Sequence, residues 1–530
     1  MSDAQLKHRL GMRELVAFSL LQIAVMLLAI SNESLWIDEF WTAHFAAIGS
    51  FRAFFDLLLV PSGSQTPLHF LHFYLWGLFV PAGEYLLRLA NLPLFVAGQA
   101  AVFWALRGSP KLFSALLLTL SAFHPMVWQY ANEARPYIMM YAGAQMMFAY
   151  LLHLQVRSER EPAAHALFFS LFVLGGLLLF GASLIGAFWV FAACVFVLIQ
   201  HWRQRSLTEL VRGVNLLLLC VFLLSTALLT AYYLNSLLQG GGASRLASST
   251  LSTVLFAAYE VMGLSGLGPG RLELRALGMS ALVPHAFVLV TAGVVWMTVL
   301  GFGLKQARTK LGFAQLVLIV ALGLFPAAVV LVSGFVMHWR VLGRHMIGAL
   351  PLLNLLLALG LTYLLQASPN HAPHAHKGRR WLAISALLLI VGSSLFLRFA
   401  PQHRKDDYQA AAAVAKVAVA AGQRVWWAAD IIGAEYYGLP GEFDVMGELT
   451  STHRPQDCAD RPGVLSIANS SIECLLSLRK PDVVILSKPE TFDTKQAIAV
   501  YLKAKQFETT QALPAFTIWR RSTNAGAQTQ

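Results

Sequence analysis

Apolar residues run along this chain in blocks of the length that crosses a ~30 Å hydrocarbon core as helix, the clearest being 15–30, 112–128, 311–332 and 381–397. Taken together the blocks predict eleven membrane helices, near residues 15–31, 86–106, 112–130, 136–155, 165–181, 183–200, 210–234, 284–304, 311–333, 344–366 and 381–399. In the pair 165–200, Gly175, Gly176, Gly181 and Gly186 thin the signal. One further apolar segment, 67–80, is short and carries His69 and His72. It reads as an interfacial or re-entrant helix, because counting it as a span inverts every later loop. Beyond residue 400 the pattern changes to alternating helix-like and strand-like pieces: an Ala-rich run over 407–421, apolar runs at 424–428 and 482–487, a helical stretch at 494–505, and 516–519. That predicts a small α/β domain. The expected organisation is a membrane domain over 1–400, with a first outer loop at 32–85, and a separate domain over 401–530.

Charge orients these elements. Basic residues cluster at Lys7/Arg9/Arg13, Arg107/Lys111, Arg157/Arg160, Arg203/Arg205/Arg212, Lys305/Arg308/Lys310 and Lys377/Arg379/Arg380, which the positive-inside tendency assigns to the cytoplasm. The N-terminus is then inside and the tail outside, which for an inner-membrane protein is the periplasm. The basic start could pass for a secretory signal, but no small-x-small cleavage site follows Ile30 and the chain stays apolar, so the first helix is read as retained. The net charge of +12 does not point to nucleic acid. Residues 401–530 hold 14 of the 39 Lys+Arg and 14 of the 27 Asp+Glu, so the excess belongs to the membrane part, where topology accounts for it. With 57% hydrophobic and only 12% charged residues, against about 25% charged in globular domains, a soluble fold is excluded.

Several segments stay open. The Gly/Ser-rich stretch 239–250 is either a loop that orders around substrate or a plain connector. His371, His374 and His376 read as a solvated linker rather than a metal site. Cys194 and Cys220 lie in apolar spans; Cys458 and Cys474, in the tail, are either one disulfide or two unpaired thiols, since spacing does not give geometry.

Acids are few in the membrane part, so their placement carries information. The one adjacent pair is Asp38-Glu39, in Leu35-Trp-Ile-Asp-Glu-Phe-Trp41 directly after the first span. A carboxylate partly desolvated among aromatic residues gains basicity and suits general-base work; helix capping is the alternative use of such an acid. A second cluster, Asn132-Glu-Ala-Arg-Pro-Tyr137, places Glu133 and Arg135 at an outer turn beside a helix start, where an anion is also favoured. A structural Glu–Arg pair is its alternative. A third, His338-Trp-Arg-Val-Leu-Gly-Arg-His345, puts Arg340 and Arg344 on the same outer side. Arginines there run against the positive-inside tendency, and guanidinium pairs well with the oxygens of a lipid-linked phosphate.

These motifs, with Pro67-Leu-His-Phe70, the Arg344 to Pro351 segment and the Lys405-Asp-Asp-Tyr408 start of the tail, make the chain resemble the bacterial membrane glycosyltransferases of the type C (GT-C) fold, related to protein O-mannosyltransferases and to the aminoarabinose transferase of lipid A. The resemblance covers residues 10–440. It implies a polyprenyl-phosphate-linked sugar donor, a first-loop Asp as catalytic base, and inversion at the anomeric carbon. Carried onto this chain, Asp38 is the base and Glu39 holds acceptor or sugar. Arg135, Arg340 and Arg344 neutralise the departing phosphate, with Glu133 and Tyr137 beside them. Where relatives carry His or Lys immediately before the Pro-Leu segment, this chain has Gln65-Thr66; either His69 substitutes from one helical turn on, or the donor head group is held differently. Nothing has strong metal-ligand spacing, so no obligatory metal or cofactor is expected. The acceptor is a periplasmic glycan, lipid or protein hydroxyl or phosphate. The rival classes are a transporter or flippase, which would place ionisable groups at the midplane and show repeated halves, and a non-catalytic subunit of a polysaccharide assembly system.

Overall fold

A computed structural model describes residues 12–60, 66–156, 162–239, 249–366, 373–441, 443 and 463–521. Gln65, the stretch 240–248, His371 and Cys458, which figure in the sequence reading, lie outside them. The chain forms two compact units, each assembled from separated pieces. The first comprises Met1–Ser31, Gly63–His72 and Arg88–His403; the second comprises Asn32–Ser62, Phe73–Leu87 and Arg404–Gln530.

Among the described residues nine helices are long and apolar enough to cross a membrane: Met12–Ala29, Glu84–Ala105, Ala164–Ala182, Gly186–Arg203, Gly213–Leu238, Arg271–Leu311, Phe313–Val336, Gly343–Leu365 and Lys377–Phe399. A tenth is formed by Lys111–Phe123 and Pro125–Ala131 if that pair, bent by 47°, is one span. Lipid is the solvent for their outer faces: on Gly213–Leu238, Leu217, Leu224 and Leu228 are each more than half exposed, an arrangement that water would not tolerate over so large a surface. The protein is therefore a polytopic α-helical membrane protein with a small C-terminal sheet domain.

Of the eleven expected spans, the one near 136–155 is a 20-residue helix, Tyr137–Val156, that falls short of the others in apolar character because it carries Gln145, His153 and three tyrosines. Its polar content matches its surroundings, since residues 137–154 are buried throughout within the first unit. A Cβ at Gly143 would lie 2.5 Å from the Gly175 carbonyl oxygen, so these two glycines let the backbones of Tyr137–Val156 and Pro162–Ala182 meet directly, as small residues do between membrane helices. One of the glycines that thin the hydropathy signal over 165–181 is thus the one that makes this contact, while Gly176 faces Phe222 and Gly181 faces Leu68.

The bend at His124 was not anticipated in a span drawn straight over 112–130, and its cause is local. Pro125 lacks an N–H and forces the residue before it out of the helical region, and His124 is extended (φ −67°, ψ 125°). Its Nδ1 accepts from the Met126 N–H at 3.2 Å and restarts the helix, which leaves Nε2–H to donate to the Val261 carbonyl at 3.1 Å. The Pro67–Gly77 helix has 11 residues and at about 1.5 Å per residue is too short to cross a bilayer.

Among the described residues the tail forms a five-stranded sheet from β1 (Val425–Ala428), β2 (Val464–Ser466), β3 (Val483–Ser487), β4 (Phe507–Leu513) and β5 (Phe516–Arg521), in the order β2-β1-β3-β5-β4. β1 runs parallel to both β2 and β3; β5 is antiparallel to β3 and to β4. The central strands β1 and β3 are buried along their whole length, which is why they read as unbroken apolar runs. Trp426, Val484, Leu486, Leu475, Ile498 and Tyr501 form the core. β4 is an exposed polar edge strand, and so gave no hydrophobic signal. Cys474 is disulfide-bonded, while Cys194 and Cys220 are free thiols.

Candidate active site

The candidate residues fall into two clusters, one in each unit. In the first unit the turn between the Pro125–Ala131 and Tyr137–Val156 helices is fixed by amides: the Asn91 side chain donates to the carbonyls of Ala131 (3.2 Å) and Glu133 (2.7 Å), and Asn132 accepts from the Ser31 N–H at 2.7 Å. The turn presents Glu133, Arg135 and Tyr137. Glu133 is buried and its carboxylate takes Arg271, 2.7 Å away at the start of the Arg271–Leu277 helix. Arg135 donates to the Tyr137 hydroxyl at 3.2 Å, and the Tyr137 ring carries two guanidiniums, Arg135 at 5.6 Å and Arg344 at 5.4 Å from its centre.

The segment bearing Arg340 and Arg344 is held by Ser249, whose hydroxyl donates to the Trp339 carbonyl (2.8 Å) and accepts from the Val341 N–H (3.1 Å). Partial burial and the charges of Arg275 and Arg344 make the Arg340 guanidinium less willing to hold its proton. Like charges gathered in this way store repulsion that an incoming anion relieves. Glu260 stands among them and accepts from the Gly343 N–H; burial raises its pKa above the usual carboxylate range, against the pull of Arg271, Arg344 and that hydrogen bond. A Cβ at position 343 would collide with the Glu260 carboxylate. His69 completes the set. Burial first, then the charges of Arg135 and His72, hold its pKa well below the ordinary range, so the ring is neutral at pH 7.

The structure thus gathers His69, Glu133, Arg135, Tyr137, Arg340 and Arg344, and adds Glu260, Arg271 and Arg275, which the sequence reading passed over. A usable signal was present: Glu260 and Arg271 lie in the loop assigned to the outer side, in a part of the chain where acids are scarce and outer arginines call for an explanation.

In the second unit Asp38 and Glu39 occupy the first turn of the Ile37–Ala46 helix. Trp36 offers no oxygen to cap that helix, and Glu39 turns its carboxylate back to the Trp36 N–H at 3.4 Å. Glu39 is fully buried and pairs with Lys405 at 3.1 Å. Asp38, beside it, is half-buried. Behind them Asp430 caps the Ile431–Tyr436 helix by accepting from the Gly433 N–H at 2.9 Å. Burial pushes Asp430 up to about 6 from 3.8; the Gly433 bond and the charge of Lys488 oppose the shift and the charge of Asp38 adds to it.

A raised carboxylate pKa means that ionisation costs the folded state. The penalty is absent below pH 3.8, grows as pH rises towards 6, and is complete above it. Asn caps helices as well as Asp, and Lys488 keeps Asp406 as its partner. Asp430→Asn is therefore expected to stabilise the tail at pH 7 by about 3 kcal/mol at most and to leave it unchanged near pH 3.5. Thermal unfolding of the full chain in detergent at the two pH values checks this; equal effects at both would remove the ionisation argument.

No family model matches the chain, and no curated protein matches it in sequence. Among solved structures, ArnT from Cupriavidus metallidurans bound to undecaprenyl phosphate aligns over 96% of this chain and 98% of its own at 15% identity, with a TM-score of 0.48. The same protein in its apo state aligns over 95% and 97% at 13% identity, TM-score 0.51. The arabinofuranosyltransferase AftD from mycobacteria aligns over 97% of this chain and 42% of its own at 14% identity, TM-score 0.47. The end-to-end likeness to apo ArnT is one of fold, and it gives the chain its place: it is a polytopic membrane protein with the type C glycosyltransferase fold.

Proposed function

We propose that the protein is an inverting glycosyltransferase that moves a sugar from a polyprenyl-phosphate donor to a hydroxyl or phosphate of a periplasmic acceptor. The observation that carries the reading is the arginine cluster around Tyr137, an excess of guanidinium charge within a membrane-embedded unit. Fold likeness alone does not give chemistry. What such a cluster supplies is charge neutralisation for an anion that develops as a bond breaks.

In the proposed reaction Asp38 takes the proton of the acceptor as its oxygen attacks the anomeric carbon from the face opposite the leaving group. The carbon–oxygen bond to the phosphate breaks, and the polyprenyl phosphate departs with the electron pair. Arg135, Arg340 and Arg344, with Arg271, meet the charge; Glu133 orients Arg271. Neutral His69 and the Tyr137 hydroxyl are hydrogen-bonding groups for the donor head. The basic clusters put the N-terminus in the cytoplasm and the tail in the periplasm. No divalent metal is required, since the guanidiniums neutralise the phosphate.

The test supplies membranes containing the wild-type chain with a panel of radiolabelled polyprenyl-phosphate sugars and a lysate of acceptors, with and without EDTA. Label is expected in an acceptor from one donor, at a rate EDTA leaves unchanged. Loss of transfer in EDTA that a divalent ion restores would overturn the metal-free reading. No transfer from any donor by folded protein would overturn the enzyme reading in favour of a transporter or a non-catalytic subunit.

A further inference from the structure

The parallel part of the sheet has the order β2-β1-β3, so the chain leaves β1 to one side and returns past it to the other. In open parallel sheets the crevice beyond the carboxyl ends of the strands at such a switch point is where a ligand binds. Here the neighbourhood of that point is furnished from within the unit. Asp430 comes two residues after β1 and Lys488 immediately after β3; Lys488 is buried, left-handed in backbone (φ 39°) and paired with Asp406. The helix following Asp430 meets the Ile37–Ala46 helix. Phe40, with no exposed surface, lies edge-on to Tyr408 at 5.0 Å and Tyr437 at 5.9 Å and is tilted against Tyr436 at 5.7 Å. A Cβ at Gly433 would come within 2.6 Å of the Phe40 ring, so only glycine lets the ring down. The Tyr437 hydroxyl fixes the approach to the helix through Ser34 Oγ (3.0 Å), the Leu35 N–H (3.1 Å) and the Glu84 carboxylate (3.1 Å).

We infer that the sheet domain is the seat that orients Asp38, with Lys405 and Gly433 as positioning residues, an inference that rests on the reading of Asp38 as the base. Ile37–Ala46 is 10 residues long, and a helix of that length is marginal by itself. The direction of Asp38 is therefore set by what its neighbours dock into: Glu39 on Lys405, and Phe40 on Gly433 and its ring of tyrosines. A buried ion pair is weak as a source of stability, and its use here is to fix register. Misplacing a reacting group by 1 Å costs on the order of 100-fold in rate.

The experiment uses the full chain in membranes with the donor that the panel identifies. Gly433→Ala and Lys405→Met are expected to lower kcat by about tenfold with KM for the donor within about twofold, the signature of a misplaced base rather than a lost contact. Adding Phe40→Leu to Gly433→Ala removes the nearest ring atoms the new methyl meets, at 2.6 and 3.0 Å, leaving Tyr408 Cδ1 at 3.0 Å, and is expected to recover part of the lost kcat; Lys405→Arg in place of Met restores it to within about threefold. Neutralising both partners, Glu39→Gln with Lys405→Met, leaves no unpaired buried charge, so the protein stays folded while kcat stays low. Wild-type kcat in Gly433→Ala and Lys405→Met, alongside an inactive Asp38→Asn, would overturn the seat and leave the base standing. So would a folded Phe40→Leu/Gly433→Ala variant that remains as impaired as Gly433→Ala. Wild-type transfer by Asp38→Asn would end the base reading, and this inference with it, whatever the other variants do.

Discussion

Asp38→Asn is expected to lower sugar transfer by about 100-fold or more, the cost of losing a general base. The substitution keeps the size and shape of the side chain and removes only the lone-pair basicity that accepts the acceptor's proton. Its structural cost is small. Asp38 is half-buried in the first turn of the Ile37–Ala46 helix, and the favourable meeting of its charge with the helix N-terminus contributes about 0.3–1 kcal/mol. The Glu39–Lys405 pair and the seat of Phe40 are untouched. A fall in kcat with KM for the donor unchanged separates loss of the base from loss of binding. Initial rates in membranes carrying equal amounts of folded protein make the measurement. Equal transfer by wild type and Asp38→Asn would leave the enzyme in place and take the base role from Asp38.

Much of the fold was legible because lipid imposes a length on apolar runs, and ten of the eleven expected spans correspond to apolar helices or to the bent pair. Tyr137–Val156 formed as well, but its burial inside the first unit, the reason it tolerates Gln145 and His153, depends on neighbours that hydropathy does not record. The bend at His124 was written in Pro125 and was overlooked because the apolar run continues through it. The candidate site divides in the same way. Asp38, Glu133, Arg135, Tyr137, Arg340 and Arg344 stood out by local sequence, as charges beside helix ends. Their partners did not, since Glu133 finds Arg271 and Glu39 finds Lys405 across long stretches of chain, and no spacing rule reaches so far. Lys405 was visible only as the first letter of a motif, and the ion pair gives it a physical task.

Arg344→Met is expected to lower kcat/KM for the donor by about 100-fold, within the ~2–5 kcal/mol that truncating one partner of a desolvated charge pair costs. Arg344 is half-buried, rests over Tyr137, and its charge acts on Glu260. Met preserves the length and the packing on the ring while deleting the charge. Two effects on the protein itself oppose each other. The repulsion that Arg340 feels from Arg344 disappears, whereas Glu260 loses one of the cations that oppose the effect of its burial and retains Arg271 and the Gly343 N–H. With these in opposition, the thermal midpoint should move little, and the loss should appear in turnover. Arg344→Lys keeps a point charge without the two-pronged fork that suits phosphate oxygens, so it should fall between Met and wild type. If the phosphate is neutralised as it departs, kcat carries most of the decrease; if it is gripped equally before and during transfer, KM carries it. Wild-type kcat/KM in a folded Met variant would mean that the donor phosphate does not meet Arg344, and the excess of positive charge around Tyr137 would then need another anion.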